Sequence, residues 1–398
     1  MFHSTLPKLR CPQLLSRKPE TAKKRQSPAE PRPLKGQSPC EGKLALEARE
    51  TQNGDIRSGT LTCVACGSQY PILAGVAIVL LEPLEYLLAH AKGVSQFIAP
   101  TEIPHEIRDE FAHCLAEQEE QAAQEHQEED LEAERVNALY LMNHYLRVSP
   151  EGERWWEPRA SVASPLHSEL IEKYWNQGPI AKVAEWVQEL TGDSSLSVVE
   201  LGCGVGGVWR ELRTAPEGAK IEYLGLDSAF ASIVRARHFG LGAAPSVEAR
   251  IPEDLLAGGV TRPVTIVVEQ KPAKNVDFIV ADVENPPLAA EAFDASIAMN
   301  VIDMLENPAR FPKIQAAHLK TGGRALQSGP YIWHARIAGK LRSQLPRGIS
   351  DSAAAVEYFY EKAGFSLERK EGHIPWLFFK HARQLELYSV HLLQGRKQ

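Results

Sequence analysis

The sequence predicts an α/β fold: a doubly wound, mostly parallel sheet preceded by a small cysteine-bearing β module and a helical connector. Three observations carry this. From Leu196 onward, short apolar runs alternate with helix-like segments, the pattern of a parallel sheet covered on both faces. Between residues 41 and 85, short apolar runs are punctuated by Gly and Pro, as strands and turns are. Between 100 and 190, apolar residues recur at roughly helical spacing.

A chain of 398 residues, 43% hydrophobic and 24% charged, holds two domains or one large domain with appendages. Four regions follow: a basic, Pro-rich segment over 1–40, the β module over 41–85, the connector over 86–190 and the sheet domain over 191–398. The net charge of −7 gives no global basic field for nucleic acid. No run approaches the ~18–20 apolar residues that span a bilayer.

In chain order, the first 35 residues carry nine Lys or Arg against Glu20 and Glu30. Such an acid-poor, Ser-bearing start reads either as a transit peptide or as a disordered basic insert, and it lacks the apolar core of a secretory signal. Six cysteines, at 11, 40, 63, 66, 114 and 203, are too few for a disulfide scaffold and point to a reducing compartment, the cytoplasm.

In the module, strands are predicted over 43–47, 59–63, 70–73 and 75–81. Cys63-Val-Ala-Cys66 on a turn lets two thiolates face one tetrahedral metal, which is half of a zinc ribbon. Leu9-Arg-Cys11-Pro12 and Pro39-Cys40-Glu-Gly-Lys-Leu, joined without residues 13–38, would supply the other half. On that reading Cys11, Cys40, Cys63 and Cys66 hold structural zinc; the alternative is a metal-free module. Cys114 and Cys203 read as ordinary small residues.

From Glu102 to Arg135, thirteen Asp or Glu stand against two Arg, the composition of a solvated helix face. Ile171, Tyr174, Trp175, Ile180, Val183, Trp186, Val187 and Leu190 then predict one or two amphipathic helices. In the sheet domain, strands are expected at 197–201, 221–226, 278–280, 296–299, 325–328 and 388–393. Helices are expected from 208, over 228–239 and after Asn307. The stretch 241–275, with Thr265-Ile-Val-Val268, has no assigned role.

The chemistry concentrates in the glycine loop. An apolar strand, a Gly-rich turn and a helix build a nucleotide site at the carboxyl ends of strands, and glycine lets a ligand approach the backbone without a Cβ in the way. Gly202-x-Gly204-x-x-Gly207 satisfies the dinucleotide fingerprint, with Asp227 about 20 residues on as the ribose acid. An NAD(P)-dependent oxidoreductase is therefore one reading.

Glu200-Leu-Gly202-Cys-Gly204-Val-Gly206 also reads Glu-x-Gly-x-Gly-x-Gly, which resembles the first motif of class I S-adenosylmethionine-dependent methyltransferases, enzymes of Rossmann-like fold. Tyr223-Leu-Gly-Leu-Asp227-Ser228 is similar to the family's second strand. Val276-Asp-Phe-Ile-Val-Ala-Asp282-Val283, followed by Pro286-Pro287-Leu288, resembles its adenine-side motif. Phe293-Asp-Ala-Ser-Ile-Ala-Met-Asn300-Val-Ile-Asp303 resembles the fourth-strand motif, and His318-Leu-Lys-Thr-Gly-Gly323 the loop before strand five. The motifs keep the family's order across residues 196–330. The resemblance implies S-adenosylmethionine as cofactor. Glu200, Gly202, Gly204 and Gly206 would lie along its methionine part, and Asp227 with Ser228 at the ribose. Asp282 and Val283 would flank the adenine, and Asn300 would sit near the sulfonium.

Residues 8–82 resemble the small zinc-ribbon-like activator subunit of tRNA and protein methyltransferases, here fused to its enzyme. Ser328-Gly-Pro330-Tyr331-Ile-Trp333-His334 and Ile374-Pro375-Trp376-Leu-Phe-Phe-Lys380-His381-Ala-Arg383 resemble the methyltransferase part of ovothiol biosynthesis, which methylates an imidazole nitrogen of mercaptohistidine. That resemblance covers residues 196–396. It implies a small-molecule substrate, with Tyr331 and Trp333 walling the pocket and His381 and Arg383 nearby. Alternatively the aromatics are core packing and 381–383 a helix surface. Tyr331, His334 and Asp303 are the candidate catalytic residues, the last two as bases. A protein or tRNA methyltransferase with its own activator is the other reading, against which the acidic 102–134 stretch speaks for RNA. A protein partner stays open, while nucleic-acid and membrane partners are not expected.

Overall fold

The computed structural model describes residues 1–16, 37–124, 137–146, 149, 152, 164–175, 178–191, 195–213, 220–242, 246–252, 261–268, 273–381 and 384–398. Residues 17–36 of the basic start, 125–134 of the acidic stretch and Arg383 lie outside them.

A ribbon of β1 (Leu14–Ser16) and β2 (Gln37–Pro39) precedes a four-stranded antiparallel sheet. That sheet contains β3 (Leu44–Gln52), β4 (Asp55–Cys63), β5 (Gln69–Leu73) and β6 (Val76–Ala77), in that order. Ala74 and Gly75, both at positive φ, form the two-residue turn between β5 and β6, the geometry that matches strand twist in tight hairpins. The strand expected over 75–81 is therefore cut short. After Ala77 the chain leaves the module, Ile78 bridges Val280 in parallel, and the Val79 N–H donates to Val280 O at 2.9 Å. The first sixteen residues also belong to the packed fold rather than to a separate leading segment. Leu9 is fully buried and bridges Leu288, and the Arg10 N–H donates to Pro287 O at 2.8 Å.

The helical region is layered onto the sheet rather than spacing two domains. It includes α1 (Pro83–Ala89), α2 (Ala91–Ser95), α3 (Arg108–Gln124), α4 (Pro165–Tyr174) and α5 (Pro179–Glu189). Leu87, Val94, Ile103 and Phe111 share one buried cluster with Trp186 and Val198, while most of the charged face of α3 is exposed as the composition predicts. Ser164 caps α4 by accepting the His167 N–H at 3.2 Å. No helix among the described residues is long and apolar enough to cross a membrane.

The main sheet begins with β7 (Leu196–Leu201), α6 (Gly207–Leu212), β8 (Ile221–Asp227) and α7 (Phe230–Leu241). A separate hairpin of β9 (Ser246–Pro252) and β10 (Thr261–Val267) occupies much of the unassigned stretch. Then come β11 (Val276–Val280), β12 (Phe293–Met299), α8 (Phe311–His318), β13 (Leu319–Gly329), α9 (Ala335–Gln344) and α10 (Ser352–Lys362). A hairpin of β14 (Phe365–His381) and β15 (Gln384–Lys397) closes the sheet. Its order is β11-β8-β7-β12-β13-β15-β14, with β15 antiparallel to both neighbours and the five strands from β11 to β13 parallel. Every residue of β7 and β11 is buried, as strands covered on both faces must be.

The long β14 was not legible as a strand, because register shifts at Leu367/Arg369, Glu371/Ile374 and Phe379/His381 break its alternation. His381 ends β14 opposite Gln384, so the expectation of a helix surface is corrected there to a strand end, while Ala382 and Arg383 lie outside the described residues.

Module and sheet meet around one buried cation. Arg237 of α7, 4% exposed, pairs with Asp55 of β4 at 2.6 Å and with Asp277 of β11. Asp277 also accepts the Phe2 N–H and the Thr5 hydroxyl, both at 2.8 Å.

Candidate active site

Strand order reverses between β7 and β12, the switch point at which an open α/β sheet leaves a crevice beyond its carboxyl ends. A cavity of about 860 Å³ opens there. A second cavity of about 880 Å³ lies between the module and α7, away from the glycine loop.

The loop after β7 forms the floor of the first cavity. Gly202 has φ +81°, and a Cβ there would lie 2.3 Å from Val301 Cγ2, so no side chain fits. Gly204, at φ +51°, faces open space, and its N–H donates to Asp227 Oδ2 at 2.9 Å. Gly206 adopts the left-handed conformation just before α6. It packs against Ala236 and the Tyr145 hydroxyl and does not line the cavity.

Glu200, Gly202, Gly204, Asp227, Ser228, Asp282, Val283 and Asn300 all line the cavity. Asp227 receives the Ala229 N–H on its other oxygen at 2.9 Å, and burial holds its carboxyl above the usual range. Glu200, 2% exposed, accepts the Tyr223 hydroxyl, and burial pushes its carboxyl up to about 8. Asp282 turns its carboxylate onto the Glu284 N–H at 2.8 Å. Asn300, at φ 55°, accepts the Ser328 hydroxyl at 2.9 Å.

The opposite wall comes from residues that motif reading missed. Asn137, Tyr140 and His144 lie on the helical stretch 137–144 and share the cavity with Trp376 of β14. Their spacing of three and four puts them on one helix face, which was the available signal. His144 lies against Gly207, and its ring stacks on Tyr140 at 5.7 Å. Of the two substrate-side segments, only the second reaches the cavity, through Trp376. Among the described residues, the lining contains four acidic side chains (Glu200, Asp227, Asp282 and Glu284) and neither Lys nor Arg.

Tyr331, His334 and Asp303 do not line the cavity. The Tyr331 ring stacks parallel to Trp333 at 5.7 Å, and its hydroxyl meets His391 Nδ1 at 2.8 Å. Asp303, 5% exposed, accepts the Ile332 N–H at 2.8 Å and so fixes the segment after β13. His334 stands at the start of α9.

The four module cysteines converge. The Sγ atoms of Cys11, Cys40, Cys63 and Cys66 all lie within 4.8 Å of one another, with Cys11–Cys66 at 3.5 Å and Cys40–Cys63 at 3.7 Å. Four thiolates at ~2.3 Å around a tetrahedral zinc would stand about 3.8 Å apart. The Ala65 N–H points at Cys63 Sγ at 3.4 Å, and Gly67 turns the knuckle at φ +78°. A Cβ at Gly42 would lie 2.5 Å from Cys63 Sγ, so the cradle needs glycine there. The donor set and its spacing fit a structural zinc.

Glu200 makes the ligand-free protein pH-sensitive in a definite direction. Between the ordinary Glu value of about 4.3 and the folded value of about 8, the folded state holds a proton that the unfolded chain releases. Stability therefore falls as pH rises through that window. Glu200→Gln removes this contribution, so its thermal midpoint gains on the parent's from pH 5 to pH 8; parallel profiles would show that Glu200 is ionised throughout.

A search of curated proteins finds no match. Among solved structures, one similar chain comes from the complex between the Haloferax volcanii Trm112 methyltransferase activator and a protein named there as a methyltransferase. It is 16% identical, covers 58% of this chain and 92% of that one, and has a TM-score of 0.36. Magnesium protoporphyrin IX methyltransferase from Synechocystis PCC 6803 is 17% identical over 55% of this chain and 81% of that one, TM-score 0.35. A SAM-dependent methyltransferase from Aquifex aeolicus is 14% identical over 61% and 98%, TM-score 0.34. Likeness at this level says nothing of substrate. The family model of the methyltransferase domain matches residues 174–374, just over half of the 398. The chain belongs to that family and is a class I S-adenosylmethionine-dependent methyltransferase.

Proposed function

We propose that this enzyme methylates a nitrogen of a small neutral or cationic molecule, an imidazole of histidine type foremost, and that its N-terminal module is a built-in, zinc-bound activator. The observation that carries the substrate reading is the acidity of the cavity wall: four acidic side chains, with neither Lys nor Arg among the described lining residues. A phosphate-bearing substrate would find no Lys or Arg among those described residues, and nucleic acid is gripped chiefly through its phosphates. Tyr140, His144 and Trp376 offer flat faces against which a small ring can lie.

When bound, the cofactor supplies a methyl group on a sulfonium. The chain's own residues do the positioning, which can account for much of the rate. In this reading Glu200 would face the positive methionine end, the Asp227 carboxylate would accept the ribose hydroxyls, and Asp282 with Val283 would border the adenine. Asn300, fixed by Ser328, would lie near the sulfonium. The methyl would pass to the lone pair of the substrate nitrogen, leaving the cofactor as its neutral thioether, and the nitrogen's proton would pass to solvent. Tyr331 and Asp303 act at one remove, by holding the segment 330–333 in place.

Incubation with methyl-labelled cofactor and three acceptor pools (imidazole compounds, total tRNA and a protein extract) tests the substrate reading. Label is expected in the imidazole pool; label confined to tRNA or protein would overturn it. Metal analysis of the purified chain should find about one zinc per molecule, lost in Cys63→Ser. Less than about half an equivalent would leave the cysteines as a metal-free cluster.

A further inference from the structure

We infer that Tyr86, on the helix leading out of the N-terminal module, is a positioning residue of the cofactor site that holds the turn presenting Asp227. This rests on the proposed role of Asp227 at the ribose. The Tyr86 hydroxyl donates to Ser228 O at 2.7 Å and accepts the Phe230 N–H at 3.0 Å. Between those two contacts, the Ala229 N–H is taken by the Asp227 carboxylate. The turn 227–230 is thus clamped from both sides, by its own acid and by a phenol from another element.

The clamp fills a specific vacancy. Phe230 opens α7, where the first N–H groups have no acceptor within the helix, and the flanking Ala229 carries no capping side chain. Tyr86 supplies that acceptor from α1, about 140 residues away in sequence. It is itself fixed: its ring lies 4.3 Å from that of His90, whose Nδ1 reaches Tyr86 O at 2.9 Å. Burial pushes the phenol up to about 12, so it remains a donor at any physiological pH.

The module grips the same helix again, seven residues further on, through Asp55 and Arg237. Its strand extension also pairs with Val280, two residues before Asp282. The loops after β8 and β11 are therefore both held by residues that precede 100. Tyr86 lies outside residues 174–374 and is invisible to the family motifs.

The test uses the full chain with S-adenosylhomocysteine and its 2′,3′-dideoxy analogue, titrated against the parent and Tyr86→Phe, which keeps the ring. If Tyr86 acts through Asp227 on the ribose hydroxyls, Tyr86→Phe should weaken S-adenosylhomocysteine about tenfold and leave the analogue unchanged. An equal loss for both ligands would mark Tyr86 as a general packing residue and overturn the inference, as would no loss for either. Should the analogue bind the parent as tightly as S-adenosylhomocysteine, the ribose reading of Asp227 itself would fall. Thermal midpoints of the ligand-free proteins, expected to agree within a few degrees, exclude unfolding as the cause.

Discussion

An exposed edge strand is a row of unpaired donors and acceptors, and β11 would be one if the N-terminal module did not cover it. Ile78 and Val79 continue the sheet beyond β11, and Arg237 sits beside that seam between Asp55 and Asp277. Removing three charged groups from water costs several kcal/mol for each ion. Mutual attraction and the extra donors from Phe2 and Thr5 offset that cost only in one geometry. Such a network adds little net stability over apolar packing. What it supplies is register, because any slip of the module along β11 would leave a buried charge unpaired.

That register reaches the crevice. The loops after β7, β8, β11 and β12 all end at the switch point, and two of them are contacted by the module or by the helix that follows it. Ile78, Val79 and Tyr86 thus brace the frame of the cavity from the N-terminal side of the sheet domain. The remaining wall, from 137–144 and Trp376, brings aromatic surface where the glycine loop brings backbone and acids. The cofactor motifs lie on one side, and none of them reaches the other.

Much of this frame was legible in the sequence. Buried parallel strands read as unbroken apolar runs, so β7, β8, β11 and β12 lie within a few residues of their expected places. The spacing of Glu200, Gly202, Gly204 and Asp227 follows from the turn they make. Cys11 and Cys40 could be joined to Cys63 and Cys66 only by supposing that 13–38 loops out, and their sulfurs do converge. What escaped depends on tertiary contact. The irregular hairpin of β14 and β15 hides its period behind register shifts. Tyr331 carried an aromatic motif into packing against Trp333 and His391 rather than into the cavity. Tyr86 and His144 belong to no motif, since their roles come from what lies across from them.

The central claim is that the glycine-loop cavity takes S-adenosylmethionine and not a nicotinamide nucleotide. Calorimetric titration of the full chain with S-adenosylhomocysteine, NAD and NADP tests it most directly, with Asp227→Ala alongside. Saturable binding of S-adenosylhomocysteine alone, abolished in Asp227→Ala, is the predicted result; binding of only a nicotinamide nucleotide would contradict it.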